Sequence, residues 1–378
     1  MAPLPVLATC VTAGPDGAVS EESAPAAVIR IEELLQSDPD HGAALYILAR
    51  YHSRSAPDYA IELLETLRDS GWNYALDDTD FEKIHDLDAY RIIASELESR
   101  EPDVGASEIA FTTEVENTHS EGMTWDERSE LFYLGSAELR KVIAVDESGR
   151  VRGHLPPGED LLLAPLGMAI DQRRRILWIA SAAAPFMTGY EDSLQGHSML
   201  TGIDLNDGTV AHQFELGSNE APALFNDLAV VPGSRIAVTD TREGAIWIAD
   251  SEMGRFERLT DSDALWAPNG IAVAPDGAHL IVTTFEGLRS VDLNDGSVAT
   301  IGTRAHVRLN GIDGLEPAGE SFIGIQNLVG RARIWKIDLN GSLGQVEAEI
   351  LESGDERLEN PTTGEVVDGS FYYMANPG

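Results

Sequence analysis

A short pattern recurs six times after residue 120 and limits the fold more than any other feature. Its copies are EGMTWD from Glu121, LGMAID from Leu166, NDLAVV from Asn226, NGIAVA from Asn269, DGLEPA from Asp313 and TGEVVD from Thr363. The starts lie roughly 43 to 60 residues apart. Each copy leads through a turn to a second apolar run: LFYLGS, ILWIAS, RIAVTD, HLIVTT, SFIGIQ and SFYYMA. Asp-Gly and Asn-Gly pairs punctuate the intervals, as tight hairpins require. A period of about 40 to 50 residues with four short strands per unit is that of a propeller blade. The expected fold is mainly β, a six-bladed β-propeller over residues 104–378. Little chain follows the sixth copy, so its outer strand is expected from EIAFTTEVE at 108–116.

The preceding segment has a helical period. Val28, Ile31, Leu34 and Leu35 share one face, as do Ala44, Leu45, Leu48 and Tyr51, and then Ile61, Leu64 and Leu67 with Gly71 as the stop. Two shorter helices are expected at 80–99, around Phe81, Ile84, Tyr90 and Ile93. These helices resemble tetratricopeptide-type hairpins, which implies an N-terminal α-helical, tetratricopeptide-like domain over 24–103. One and a half repeats are few for a solenoid. The domain can therefore be read as a cap on the propeller or as a module for protein docking or self-association. Residues 1–23, rich in Ala, Pro, Gly and acids, read as a flexible leader.

Charge narrows the partners. Sixty-four Asp and Glu face 26 Lys and Arg, a formal net charge of −38, and the only lysines are Lys83, Lys141 and Lys336. Such a surface repels nucleic acid and anionic lipid. No run reaches the ~18 to 20 apolar residues of a membrane-spanning helix. The single cysteine, Cys10, excludes an internal disulfide. It stands in Leu7-Ala8-Thr9-Cys10, where a lipid-attachment box would lie, but without a basic segment before it. The compartment stays open: cytoplasmic, or periplasmic or secreted after signal removal.

The first residue of each copy should stand at one mouth of the propeller channel. That ring is Glu121, Leu166, Asn226, Asn269, Asp313 and Thr363. Two carboxylates and two amides form a hard-oxygen set suited to Ca²⁺ and not to Zn²⁺. Asp227, next to Asn226, should point away from the channel and orient a ligand. The insertion at 181–200 carries Phe186, Met187, Tyr190 and Met199, residues fit for an apolar lid on a substrate. His119 lies two residues before Glu121. There is no GxSxG, HExxH or Gly-rich phosphate loop.

The segments EGMTWD, FNDLAV, PNGIAVAPDG and GIDGL, in this order, resemble the senescence marker protein, regucalcin and gluconolactonase family over roughly residues 108–376. Diisopropyl fluorophosphatase and the paraoxonases share its six-bladed plan. The resemblance implies a catalytic Ca²⁺ held by Glu121, Asn269 and Asp313, with Asn226 as further ligand or substrate contact. The segment after Asp313 is shorter than the family form, and Asn310-Gly311 competes for the same place. Asp-Gly-apolar and the repeat interval favour Asp313. The implied activity is opening of lactones or cleavage of activated esters. Asp313 would activate water, with Glu121 as the alternative and His119 as a substrate contact or base. A second, structural ion deeper in the channel is compatible with the plan. The competing readings are a phosphotriesterase-like hydrolase on the same metal and a non-catalytic protein-binding scaffold.

Overall fold

The computed structural model describes residues 24–72, 74–100, 103–105, 107–113, 115, 119–155, 161–304, 307, 309–339 and 343–375. The expected leader and Cys10 lie outside the described residues.

Five four-stranded antiparallel sheets follow one another in the chain, each a simple meander. Blade 1 is β1 Met123–Asp126, β2 Leu131–Ser136, β3 Lys141–Val145 and β4 Val151–Leu155. Blade 2 is β5 Ala164–Asp171, β6 Ile176–Ala182, β7 Ser198–Asp204 and β8 Val210–Leu216. Blade 3 is β9 Phe225–Val231, β10 Arg235–Asp240, β11 Ala245–Asp250 and β12 Arg255–Asp261. Blade 4 is β13 Ile271–Val273, β14 His279–Thr284, β15 Gly287–Asp292 and β16 Val298–Thr300. Blade 5 is β17 Ile312–Ala318, β18 Ser321–Gln326, β19 Arg333–Leu339 and β20 Val346–Ser353. A two-stranded sheet, β21 Gly364–Val367 with β22 Ser370–Tyr373, completes the set.

The first strand of each sheet is the innermost, and neighbouring first strands pack side by side from β1 through β5, β9, β13, β17 and β21 back to β1. The chain is thus a β-propeller with five four-stranded blades, and the two-stranded sheet sits between blades 5 and 1. The sixth copy supplies two strands among the described residues. Of the outer strand expected at 108–116, the described residues, 108–113 and 115, carry no strand. Phe111 instead lays its ring on Phe132 at 5.4 Å, adding to the apolar layer between blade 1 and the two-stranded sheet.

Apolar layers between sheets hold the ring. Leu177, Ile179 and Met168 meet Val142 and Ala144 between blades 2 and 1. Trp178, Leu228 and Val238 lie between blades 2 and 3. Met123, Phe132 and Val367 join blade 1 to the two-stranded sheet. At roughly 25 cal/mol per Å² of apolar surface removed from water, these layers are the main source of stability. Four tryptophans serve such layers: Trp178 and Trp335 are buried in them, and Trp125 and Trp247 pack against them.

The repeat demands glycine where inner strands nearly touch. A Cβ on Gly270 would collide with the carbonyl of Asp313, and one on Gly314 would lie 2.6 Å from the carbonyl of Thr362.

Among the described residues four helices precede the propeller: α1 Ala24–Ser37, α2 Gly42–His52, α3 Pro57–Asp69 and α4 Asp88–Glu98. His41 caps α2, its Nδ1 accepting from the Ala44 amide at 3.2 Å. Pro57 opens α3, and Gly71 just past its end has φ of 80°. Of the two short helices expected at 80–99, only α4 forms. Residues 78–86 are turns: Asp77 accepts from the Thr79 amide two residues on, Asp78 accepts from the Tyr90 hydroxyl on α4, and Phe81 and Ile84 still reach the core.

The helices pack on the propeller. Trp266 and Val329 belong to the same buried cluster as Leu45, Leu48, Leu64 and Tyr74. Trp266 precedes β13, Phe285 turns from β14 to β15, and Leu328 and Val329 lie between β18 and β19. In an antiparallel meander those connections stand at the end where the inner strand begins. The helical layer therefore lies on the rim that carries Glu121, Asn269 and Asp313, over blades 4 and 5.

Candidate functional site

At that rim the structure brings three of the four proposed ligands together. Asn269 Nδ2 donates to Asp313 Oδ1 at 2.8 Å, across blades 4 and 5. Both residues are buried. Glu121, half-buried before β1, shares their space: burial drives its proton affinity well above the ordinary carboxylate range, and the Asp313 charge adds to it. Asn226 stands one step away. Its Nδ2 donates to Thr241 Oγ1 at 3.1 Å, and that hydroxyl donates to the Pro268 carbonyl at 2.7 Å, next to Asn269. Leu166 and Thr363 complete the ring without a carboxylate or amide head.

Asn327, which the repeat pattern does not mark, belongs to the site. Its Nδ2 donates to Asp313 Oδ2 at 2.8 Å and to the Pro361 carbonyl at 2.9 Å. Both oxygens of Asp313 thus accept amide hydrogen bonds. The signal in sequence was slight: a polar residue directly after SFIGIQ, where the second strand ends. Asn310, the competitor for the Asp313 position, is buried elsewhere, with Nδ2 donating to the Phe285 carbonyl at 2.8 Å.

Asp227 occupies a position that is glycine in the other five copies. Its carboxylate spans two blades, accepting from Leu228 N at 2.8 Å and from Ile271 N, in blade 4, at 3.0 Å. Burial pushes its pKa up to about 7, against those two backbone donors, and Asp313 adds repulsion. Further along the inner strands lie Glu316 and Glu365. Burial raises Glu316 well above the usual range, and Glu365 and Asp227 raise it further. Burial likewise raises Glu365, opposed by bonds from Thr124 and from the Trp125 and Val366 amides. Among the described residues no three His, Cys, Asp or Glu side chains converge on a point that could hold a metal ion. A cation at the rim would need amide oxygens beside the Glu121 and Asp313 carboxylates.

The insertion between β6 and β7 flanks the rim at blades 1 and 2. Thr188 N donates to the Glu138 carbonyl at 2.8 Å. Phe186 meets the His119 ring with centroids 5.3 Å apart, and His119 Nδ1 lies 3.3 Å from Glu138 Oε2. His119 has φ of 37°, a conformation that side chains rarely adopt. Met187 is buried in the insertion's own small core with Ala184 and Leu163, which Phe186, Tyr190 and Met199 cover. Phe186 and Tyr190 are half-buried.

The donor set fits a hard cation. Burial and the charge of Asp313 both disfavour the charged form of Glu121. A divalent ion among oxygen ligands would relieve that repulsion.

Neither a family model nor a curated protein matches the sequence. Solved structures do. The chain is similar to the major allergen Mala s 1 of Malassezia sympodialis, at 13% identity and a TM-score of 0.55, over 70% of this chain and 89% of that one. It is also similar to a gluconolactonase from Xanthomonas campestris, at 19% identity and a TM-score of 0.45, over 68% and 83% of the two chains. A third is a catalytically inactive variant of virginiamycin B lyase from Staphylococcus aureus, at 13% identity and a TM-score of 0.48, over 69% and 80%. At these identities the likeness is one of fold.

Proposed function

We propose that this protein is a calcium-dependent hydrolase that opens lactones or cleaves activated esters at the rim of its propeller channel. One observation carries the reading: the buried Asp313 carboxylate is bonded to the Asn269 amide across two blades, and its charge reaches the Glu121 carboxyl from a third. Like charges in a shared, water-poor space are costly to a fold and useful to a cation site. In this reading Glu121, Asn226, Asn269 and Asp313 hold the ion. Bound there, Ca²⁺ supplies Lewis-acid polarisation of a carbonyl oxygen.

The chain's own groups do the rest. Asn269 and Asn327 fix the plane of Asp313. A carboxylate of the Glu121 and Asp313 pair takes the proton of the attacking water. Asp313 is the first candidate for that acceptor, and Glu121 the alternative. Phe186 and Tyr190 offer an apolar flank to the leaving portion, and His119 a polar one. Met187 supports that flank from beneath. The two-stranded sheet is taken as the inner half of a sixth blade, which completes the family plan. The tetratricopeptide-like helices act as a cap, as their shared core with Trp266 and Val329 supports.

The test is a panel of sugar, aliphatic and aryl lactones with one phosphotriester, assayed before chelation, after it, and with Ca²⁺ restored. Turnover lost to the chelator and regained with Ca²⁺ is expected on at least one lactone. Turnover of the phosphotriester alone would move the assignment to that class. Inactivity throughout, with no Ca²⁺ bound, would reject the enzyme reading.

A further inference from the structure

The Asp313 carboxylate is gripped from two sides, by Asn269 on Oδ1 and by Asn327 on Oδ2. Each of those amides sits at the edge of a segment that the helices hold. Directly after Asn327, Leu328 and Val329 enter the helical core. The Arg331 amide then donates to the Ala75 carbonyl at 3.1 Å, and Arg331 Nη2 pairs with Glu98 Oε1 at 2.7 Å.

On the other side, Trp266 and Ala267 enter the same core just ahead of Asn269. Arg30, on α1, lies 4.2 Å over the Trp266 ring and donates to the Asp263 carbonyl at 3.0 Å. His41 stacks on Phe285 with 6° between the planes. Ala267 has φ of 50°, a strained conformation for alanine that persists only where surrounding packing dictates it. Between the two segments, Gln326 Nε2 donates to the Asn310 carbonyl, and Asn310 Nδ2 to the Phe285 carbonyl.

We infer that Asn327 is a positioning residue for Asp313, and that the helical layer sets the geometry of the site by clamping the segments that carry Asn269 and Asn327. The inference deepens the hydrolase reading and rests on it for its role in cation binding. The helices thereby become part of the site's support, where a cap serving only to cover apolar surface would leave the site indifferent to them.

The experiment uses the full chain and three variants: Asn327→Leu, which removes both donated bonds, Asn327→Gln, which keeps an amide, and Arg30→Met, far from the ligands. Two readouts are taken: Ca²⁺ affinity by titration of chelator-treated protein, and amide exchange without metal. Loss of an outer-shell partner typically weakens a metal site about 10- to 100-fold. Asn327→Leu should do so, Asn327→Gln should recover part of the affinity, and Arg30→Met should weaken binding several-fold. Exchange should quicken at the Asn269 amide, which donates to the Thr283 carbonyl, and at the Thr283 amide, which donates to the Gly270 carbonyl, and stay unchanged in β1 to β4. Should Asn327→Leu fail to fold, Arg30→Met still decides. Wild-type affinity and exchange in Arg30→Met and Asn327→Leu would overturn the inference. If the wild type binds no Ca²⁺, the metal reading falls, and unchanged exchange at Asn269 and Thr283 would overturn the positioning role separately.

Discussion

Replacing Glu121 by Gln should make the metal-free protein more stable and the cation-bound state unreachable. Gln keeps the shape of the side chain and removes its charge. The sign follows from the direction of the shift. Burial and Asp313 raise Glu121 in the folded state, so the folded chain binds the proton more tightly than the unfolded one. Stability is then fully present below the ordinary glutamate value of 4.5 and declines as pH rises above it. Gln escapes that decline, so the variant gains most on the alkaline side. Calcium works oppositely. At free ion a hundredfold above its Kd, binding adds about 2.7 kcal/mol to the wild type. Unfolding entropy of about 2.1 cal/mol/K per residue over the 378 residues converts this to roughly 3 °C in Tm. Thermal unfolding at pH 8, first with chelator and then with Ca²⁺, should show a higher Tm for the variant without metal and a rise of ~3 °C in the wild type alone. A variant less stable without metal, or one that keeps the Ca²⁺ shift, would refute the reasoning.

Three further outcomes are expected. Asp126 is fully buried and binds Arg175 across blades 1 and 2 through both oxygens; Asp126→Asn strands that guanidinium and should cost about 3 to 5 kcal/mol in denaturant unfolding, whereas a loss below ~1 kcal/mol would show the pair to be dispensable. Glu365 is raised by burial from 4.5 toward neutrality, so wild-type stability should fall as pH rises from about 4.5 to about 7, and Glu365→Gln should flatten that slope by on the order of 2 kcal/mol, discounted for the residue's partial exposure; parallel pH profiles would exclude Glu365 as the cause. With a formal charge of −38, the fold repels itself, so Tm should climb as NaCl rises from about 0.1 to about 1 M and the screening length drops from ~10 to ~3 Å. A flat response would mean that the charge is already offset locally.

The propeller was legible because its constraint repeats. Gly270 and Gly314 are dictated by the approach of the next inner strand, and the same contact places Asn269 and Asp313 at one depth in the channel. A pattern tied to a recurring physical contact can be seen in a single sequence. Asn327 has no counterpart in that pattern: it follows the second strand of one blade only, and its value depends on a neighbour fourteen residues back that bends into reach. Asp227 was expected to point away from the channel and orient a ligand. Its carboxylate spans to a backbone amide of the next blade, and strand alternation could not announce this. The turns at 78–86 went unread because Phe81 and Ile84 kept a helical spacing while Asp77 bound the Thr79 amide. The seat of the helices depends on Trp266, Phe285 and Val329, which lie in unrelated connections and share no periodicity.

The aspartates of the turns divide the chain's acidity into two kinds. Asp207 and Asp295, in hairpins, and Asp355, in the connection after β20, each accept the amide of the residue two positions on, at 2.8 to 2.9 Å. Bonds from Thr209, Ser297 and Arg357 hold these carboxyls below their usual range, Asp355 at about 2. Asp126, Asp171 and Asp240 accept the same kind of backbone bond at the ends of strands. Glutamates on the outermost strands, such as Glu215 and Glu257, close no turn. A lineage drifting to a less acidic composition could therefore exchange those glutamates freely, while the turn aspartates would stay, each one fixed by the turn it folds.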